Sequence, residues 1–145
     1  MRAPTQARDR FVTDGVGSMP PGKLLVLLYD RLLRDLDEAA VAIERRDPPG
    51  AHEALTHAQD IVAELHSALD VDRWDGASAM VDIYTYLADL LGRANIAKST
   101  ALVIEARSLV APLRDTWSEA YTAASEAQVL ASSARSAGGG LDVAG

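Results

Sequence analysis

The stretch that decides the fold is residues 20–44, PPGKLLVLLYDRLLRDLDEAAVAIE. Its apolar residues recur at steps of three and four, which places them on one face of an α-helix. That face is formed by Leu25, Leu28, Leu32, Leu36, Ala39 and Ile43. Proline suits the first turn of a helix, where no N–H donor is needed, so Pro20 and Pro21 predict where the helix begins. The chain therefore opens its patterned region with a helix that must bury one side.

The same pattern returns three more times along the chain. Residues 47–50, Asp-Pro-Pro-Gly, predict a capped start for the second helix, because aspartate accepts hydrogen bonds at an N-cap and proline follows it well. We expect the second helix to end near Asp70 and the third near Asn95. Ser99 or Thr100 is then placed to cap the fourth. Short breaks put consecutive helices antiparallel, so the predicted fold is an all-α antiparallel four-helix bundle.

The two ends of the chain lack this pattern. Residues 1–18 are mostly polar and are interpreted as an extended N-terminal arm. Residues 129–145 consist mainly of Ala, Ser and Gly. Such a composition buries too little apolar surface to order a segment, so we predict a disordered C-terminal tail. The bundle itself is expected over residues 19–128.

Composition and charge exclude several classes of partner. The formal net charge is −7, whereas nucleic acids and anionic membranes favour a basic surface, so neither is predicted as a partner. The longest aliphatic run is residues 24–28, far below the ~20 residues that span a bilayer, so no membrane insertion is expected. The absence of cysteine excludes a disulfide framework. No signal peptide is recognisable at the N-terminus, and we predict a cytoplasmic protein.

Reactive side chains are few and poorly arranged for catalysis. All three histidines, His52, His57 and His66, belong to the predicted second helix. None forms the Glu-x-x-His motif of di-iron bundles, and a nucleophile–histidine–carboxylate triad would need a histidine from elsewhere. The sequence therefore predicts no catalytic residue, no metal site and no cofactor, and it favours a binding protein over an enzyme.

Two other interpretations stay open alongside a binding bundle. The first is a metal-binding bundle or a bundle enzyme. The second is a homodimeric scaffold, in which an apolar strip closes a symmetric dimer. The acidic residues of the first helix do not support a paired-carboxylate site, because arginines alternate with them, and we interpret them as a solvated face. These acidic residues are Asp30, Asp35, Asp37 and Glu38.

Three aromatic residues are candidates for contact with a partner. Phe11 is the only phenylalanine and lies in the polar arm, where it either staples the arm to the bundle or plugs a groove until a partner arrives. Tyr84 and Tyr86 are two positions apart on a predicted helix, so they point in different directions and cannot both be central core residues. A tyrosine at a groove edge suits binding, because it offers an apolar ring with a polar tip.

Five segments of the chain, in order, resemble the flagellin export chaperone family, FliS. They are residues 10–16 of the arm, 24–30 of the first helix, 58–70 of the second, 83–95 of the third and 113–117 of the fourth. Each segment alone is a weak signal, but five in order at the family's spacing are a strong one. Two departures stand out: Phe11 replaces the usual tyrosine, and Pro20-Pro21 replaces the usual Ser-Pro.

The resemblance implies a cytoplasmic chaperone that binds the disordered C-terminal segment of flagellin, prevents its premature polymerisation and helps deliver it to the export gate. A component of that gate is a second expected partner. We expect the client to lie in grooves beside the second, third and fourth helices. The expected partner-binding residues are Phe11, Ala54, Ala58, Ile61, Leu65, Tyr84, Tyr86, Leu87, Leu91, Ala94 and Asn95. The sequence does not divide those that line a groove from those that face the core.

Overall fold

Four α-helices pack so that each lies beside the one before it and the last returns to the first. The structure is a computed structural model that describes residues 21–69, 72 and 76–144. The helices are α1 (Pro21–Glu44), α2 (Pro48–Ser67), α3 (Ala77–Ala97) and α4 (Thr100–Ala144). The predicted all-α four-helix bundle is confirmed, and the described residues contain no strand. The predicted arm, with Phe11, lies outside the described residues.

The α1–α2 connection follows the capping signal in the sequence. The Asp47 carboxylate accepts a hydrogen bond from the Gly50 backbone N–H at 3.1 Å, and Pro48 and Pro49 occupy the first two positions of α2. A Cβ on residue 50 would lie 2.3 Å from an Asp47 carboxylate oxygen. Glycine at this position therefore leaves room for the cap.

The α3–α4 connection uses two different devices. Lys98 adopts the left-handed conformation that commonly ends a helix, with φ of 48°, and its ammonium group donates to the Asn95 carbonyl at 2.6 Å. The Ser99 hydroxyl accepts a hydrogen bond from the Leu102 backbone N–H at 3.3 Å. Of the two predicted caps, Ser99 is the one that the structure uses.

The core consists of aliphatic, alanine and tyrosine side chains from all four helices. On α4 the buried face differs from the stripe that helical spacing predicts, which consists of Leu102, Ala106, Leu109, Leu113, Trp117, Ala120 and Ala124. Val103 and Val110 are fully buried, whereas Leu102 and Leu109 are only half-buried. One residue along a helix rotates the side chain by about 100°, so this shift turns the leucines away from the centre of the bundle.

Asp35 corrects the interpretation of the acidic face of α1 as fully solvated. Its side chain is only 1% exposed. Arg31 donates to one carboxylate oxygen at 3.2 Å, and the His57 ring nitrogen contacts the other. A buried carboxylate needs such partners, and here one comes from α1 and the other from α2. Asp35 therefore helps to hold these two helices together.

α4 continues well beyond the rest of the bundle. The start of α1 meets it at Tyr121, where a Cβ on residue 22 would lie 2.8 Å from the ring. The described side chains over 126–137 are all exposed, although the backbone is helical to Ala144. A helix without tertiary contacts is marginal in water, and each of the glycines over 138–140 lowers helix stability by about 1 kcal/mol relative to alanine. The prediction that the tail is disordered in solution therefore stands.

Loss of the Asp47 cap of α2 should destabilise the protein. Asp47→Ala removes the side-chain acceptor and should lower the free energy of unfolding by about 1 kcal/mol, as measured by urea denaturation followed by helical circular dichroism. Asp47→Asn is the matched control and should retain the wild-type stability, because asparagine caps equally well. Equal losses in the two variants would contradict the capping role.

Candidate partner-binding surface

Two tyrosines meet at the centre of the bundle. The hydroxyl oxygens of Tyr29 on α1 and Tyr84 on α3 lie 2.6 Å apart, and both side chains are buried. Burial raises the pKa of both residues, and for Tyr29 the neighbouring Tyr84 raises the pKa further. Of the two tyrosines singled out in the sequence, Tyr84 is therefore the inward one, and it serves the core.

Ion pairs fix the register of α1 against α4. The Arg114 Nε lies 2.6 Å from an Asp30 oxygen, and the Arg107 Nε lies 2.7 Å from an Asp37 oxygen. All four side chains are partly exposed, so each pair adds little free energy. Their order along the two helices shows that α1 and α4 are antiparallel.

Amide side chains connect α2 to α3. The half-buried Asn95 donates to Gln59 at 3.4 Å, and its carboxamide oxygen lies 3.2 Å from the His52 ring nitrogen. His66 approaches the ring of Tyr84, with 6.1 Å between the ring centroids. Asn95 was expected to bind a partner, and in the structure it joins two helices.

The contact between α3 and α4 is the sparsest of the four neighbouring helix pairs. Half-buried apolar side chains follow both sides of this contact, which we call the α3–α4 seam. They are Ile83, Leu102, Leu109 and Leu113. Tyr86 is 45% exposed, and its hydroxyl donates to the Glu105 carboxylate across the seam. The seam thus combines accessible apolar surface with one polar crossing.

The positions of these residues on their helices follow from helical spacing. Ile83 lies three residues before Tyr86, on the same face of α3. Leu102 and Leu109 lie three residues before and four after Glu105, on the same face of α4. Because Tyr86 bonds to Glu105, these two faces are opposite one another. The half-buried apolar residues therefore lie on the facing sides of the two helices, beside the Tyr86–Glu105 hydrogen bond.

Two clefts elsewhere in the described residues suit an apolar partner less well than the seam. A cleft of about 550 Å³ between α1 and α2 is lined mainly by charged residues, among them Arg31, Asp37 and Glu53. A groove of about 310 Å³ near the start of α1 is apolar, with Leu25 and Trp117 in its lining, but it is confined to one end of the bundle. Covering charged groups without pairing them is unfavourable, which favours the α3–α4 seam.

The described residues offer neither a metal site nor a membrane span. No group of three or more His, Cys, Asp or Glu side chains in this part of the chain is arranged to hold a metal ion. None of the described helices combines the length and apolarity required to cross a membrane.

The chain is similar to known proteins over most of its length. A family model described as flagellar protein FliS matches residues 4–124. The chain belongs to the FliS family. It is 35% identical over 110 residues to the flagellar secretion chaperone FliS of Bacillus subtilis, covering 76% of this chain and 82% of that protein. It is 28% identical over 118 residues to the flagellar secretion chaperone FliSB of Pseudomonas aeruginosa, covering 81% and 94%.

A solved structure supports the same fold. The crystal structure of a flagellar chaperone from bacteria superimposes with a TM-score of 0.66, covering 81% of this chain and 97% of that one. The sequence identity is 16%, so this likeness shows the four-helix fold alone. The resemblance to FliS that the sequence indicated is confirmed.

Three of the contacts that join the helices have both partners in the segments that carry the FliS resemblance. Tyr29 and Asp30 belong to one such segment, and each pairs with a residue from another: Tyr84 and Arg114. Gln59, from a further segment, pairs across α2 and α3 with Asn95, which belongs to the same segment as Tyr84. Pairs of this kind require specific residues at specific positions, whereas many aliphatic residues can fill a core. Part of the family resemblance therefore consists of residues that hold the helices together.

Most of the expected partner-binding residues are buried within the bundle. These are Ala54, Ala58, Ile61, Leu65, Tyr84, Leu87, Leu91 and Ala94. A buried side chain meets a partner only if the bundle opens, so the structure shows a packing role for these eight, and their contact with a partner stays a prediction. Tyr86 is exposed at the seam. The leucines of α4 were assigned to the core from their spacing, and only their half-burial reveals them as surface candidates.

The buried pair of Tyr29 and Tyr84 should make the stability of the protein depend on pH. The pKa values of Tyr29 and Tyr84 are raised above the ordinary 10.0, so the folded state keeps both residues neutral. Their contribution to stability is present below about pH 10 and falls as the pH rises, because the unfolded state releases these protons first. Thermal unfolding measured from neutral pH to beyond about pH 10 should therefore show a melting temperature that falls on the alkaline side.

The matched variants test this assignment. The double variant with Tyr29→Phe and Tyr84→Phe should lose less stability between neutral and alkaline pH than the wild type. Tyr121→Phe, outside the pair, should retain the wild-type pH dependence. If the double variant loses as much stability as the wild type, the buried hydroxyl pair is not the cause.

Proposed function

We propose that this chain is a cytoplasmic export chaperone that binds the disordered C-terminal segment of flagellin. In this role it prevents premature polymerisation and aids delivery to the flagellar export apparatus. Membership of the FliS family and the 35% identity to a flagellar secretion chaperone support the proposal. The observation that carries it is the partly open apolar row along the α3–α4 seam.

An amphipathic segment that polymerises with its own kind needs an alternative apolar surface to keep it apart. The seam offers such a surface. From Leu102 to Leu113 it extends for about 16 Å, or three helical turns. Helices that dock into grooves place apolar anchors at this spacing. A short amphipathic helix of the client therefore fits the seam.

One groove does not account for strong binding of a disordered segment. Ordering such a segment on binding opposes association by several kcal/mol, which a wide interface must offset. The proposal therefore includes further contacts, made by extended stretches of client beyond the seam. A contact with a component of the export gate belongs to the same proposal, because delivery requires recognition of the loaded chaperone.

Isothermal titration with a peptide covering the last ~40 residues of the cognate flagellin tests the proposal, since this length suits coupled folding and binding. The expected result is saturable 1:1 binding with a negative heat-capacity change. Absence of heat at several temperatures, with folded protein and soluble peptide, would remove flagellin as the client. Sedimentation in the same buffer tests the homodimeric scaffold, which requires self-association without peptide.

A charged side chain placed in the seam should weaken binding of the flagellin peptide. Leu109→Asp places a charge in the apolar row and should weaken peptide binding at least about tenfold. Val41→Asp is the matched control: Val41 is an apolar residue of α1, 44% exposed, and lies away from the seam. It should bind the peptide like the wild type.

Both variants must first show wild-type helical circular dichroism and cooperative thermal unfolding. Leu109→Ala serves as a milder second variant and should weaken binding in the same direction without introducing a charge. Equal effects of the Leu109 and Val41 substitutions would contradict the placement of the client in the seam.

A further inference from the structure

The hydrogen bond between Tyr86 and Glu105 lies over the middle of the α3–α4 seam. One turn from this bond, toward the start of α3, lie Ile83 on α3 and Leu109 on α4. One turn in the opposite direction, toward the start of α4, lies Leu102. A helix that lies along the whole apolar row must therefore pass through the position of this bond.

The bond links two side chains that the core does not require. Tyr86 is 45% exposed, and its hydroxyl donates to a Glu105 carboxylate oxygen. The hydrogen bond to Glu105 raises the pKa of Tyr86, while the nearby Arg93 opposes this shift. The tyrosine thus remains a protonated donor. Arg93 itself pairs with Asp89, with 2.9 Å between the two groups, on the same helix.

We propose that Tyr86 and Glu105 form a latch that keeps the α3–α4 seam from opening fully, and that their hydrogen bond breaks when a client enters. This inference rests on the proposed function, because it concerns the same seam. The two groups satisfy each other at the surface, where the helix contact is otherwise sparse. In the absence of client, the latch limits the exposure of an apolar row that could associate with other copies.

A latch of this kind lowers the apparent affinity for the client. Only the open fraction of the protein is competent to bind, so the apparent Kd equals the intrinsic Kd divided by that fraction. Removing the latch while keeping the tyrosine ring should therefore strengthen binding. If the Tyr86 hydroxyl instead contacted the client, its removal would weaken binding. The direction of the change in affinity therefore distinguishes the two roles.

Titration calorimetry of three variants with the flagellin C-terminal peptide tests the latch. Tyr86→Phe retains the ring and should bind about threefold to tenfold more tightly than the wild type. Glu105→Ala should produce a similar gain. The double variant should gain no more than either single variant, because both substitutions remove the same bond. Weaker binding by Tyr86→Phe, unchanged binding, or additive gains would overturn the latch.

Arg107→Gln is the control for general loosening of the bundle. It breaks the exposed pair with Asp37 between α1 and α4, and it should leave peptide affinity unchanged. An affinity gain equal to that of Tyr86→Phe would show that any weakened helix pair has this effect, and it would overturn a specific latch.

Hydrogen exchange of the unliganded protein separates failure of the latch from failure of the proposed function. If the wild type does not bind the peptide, flagellin is not the client. Amide hydrogen exchange of the unliganded protein then tests by itself whether the latch exists. Tyr86→Phe should then speed amide exchange over 79–90 and 102–113, where the seam opens. Exchange at the wild-type rate in these segments would overturn the latch.

Discussion

The burial of the apolar face of α1 is the constraint on which the rest of the structure depends. α2 covers this face from one side and α4 from the other, and these two contacts are the most extensive in the bundle. Tyr29, Leu32 and Leu36 are completely buried between them. The pairs that Asp30 and Asp37 make with α4, and the contact of Asp35 with α2, fix the register of both neighbours.

An asymmetry follows from this arrangement. α3 completes the bundle by packing on α2 and, less extensively, on α4. The leucines of α4 that face α3 are therefore only half-covered, and a hydrogen bond from Tyr86 crosses above them. In the proposed function, the part of the fold that α1 constrains least is the part that receives a helix of the client. In that function, binding uses the sparsest helix contact of the bundle and leaves the most extensive ones intact.

Helical periodicity and capping chemistry predicted the four helices and their connections, because both are local properties. Asp47 and Ser99 cap where their side chains can reach the next turn. The division between core and surface could not be predicted, because it depends on which neighbour covers each side of a stripe. Leu109 and Val110 are both apolar and adjacent, yet only Val110 faces the centre. Asp35 was misjudged for the same reason, since its partner His57 belongs to another helix.

Amide hydrogen exchange of the full chain, with and without the flagellin C-terminal peptide, tests the central claim most directly. The account predicts that the peptide slows exchange in the facing segments of α3 and α4, around 83–90 and 102–113, because a docked client covers the seam. Little change is expected over 31–44 on α1. Peptide binding that protects α1 and α2 while leaving the α3–α4 segments unaffected would contradict the account.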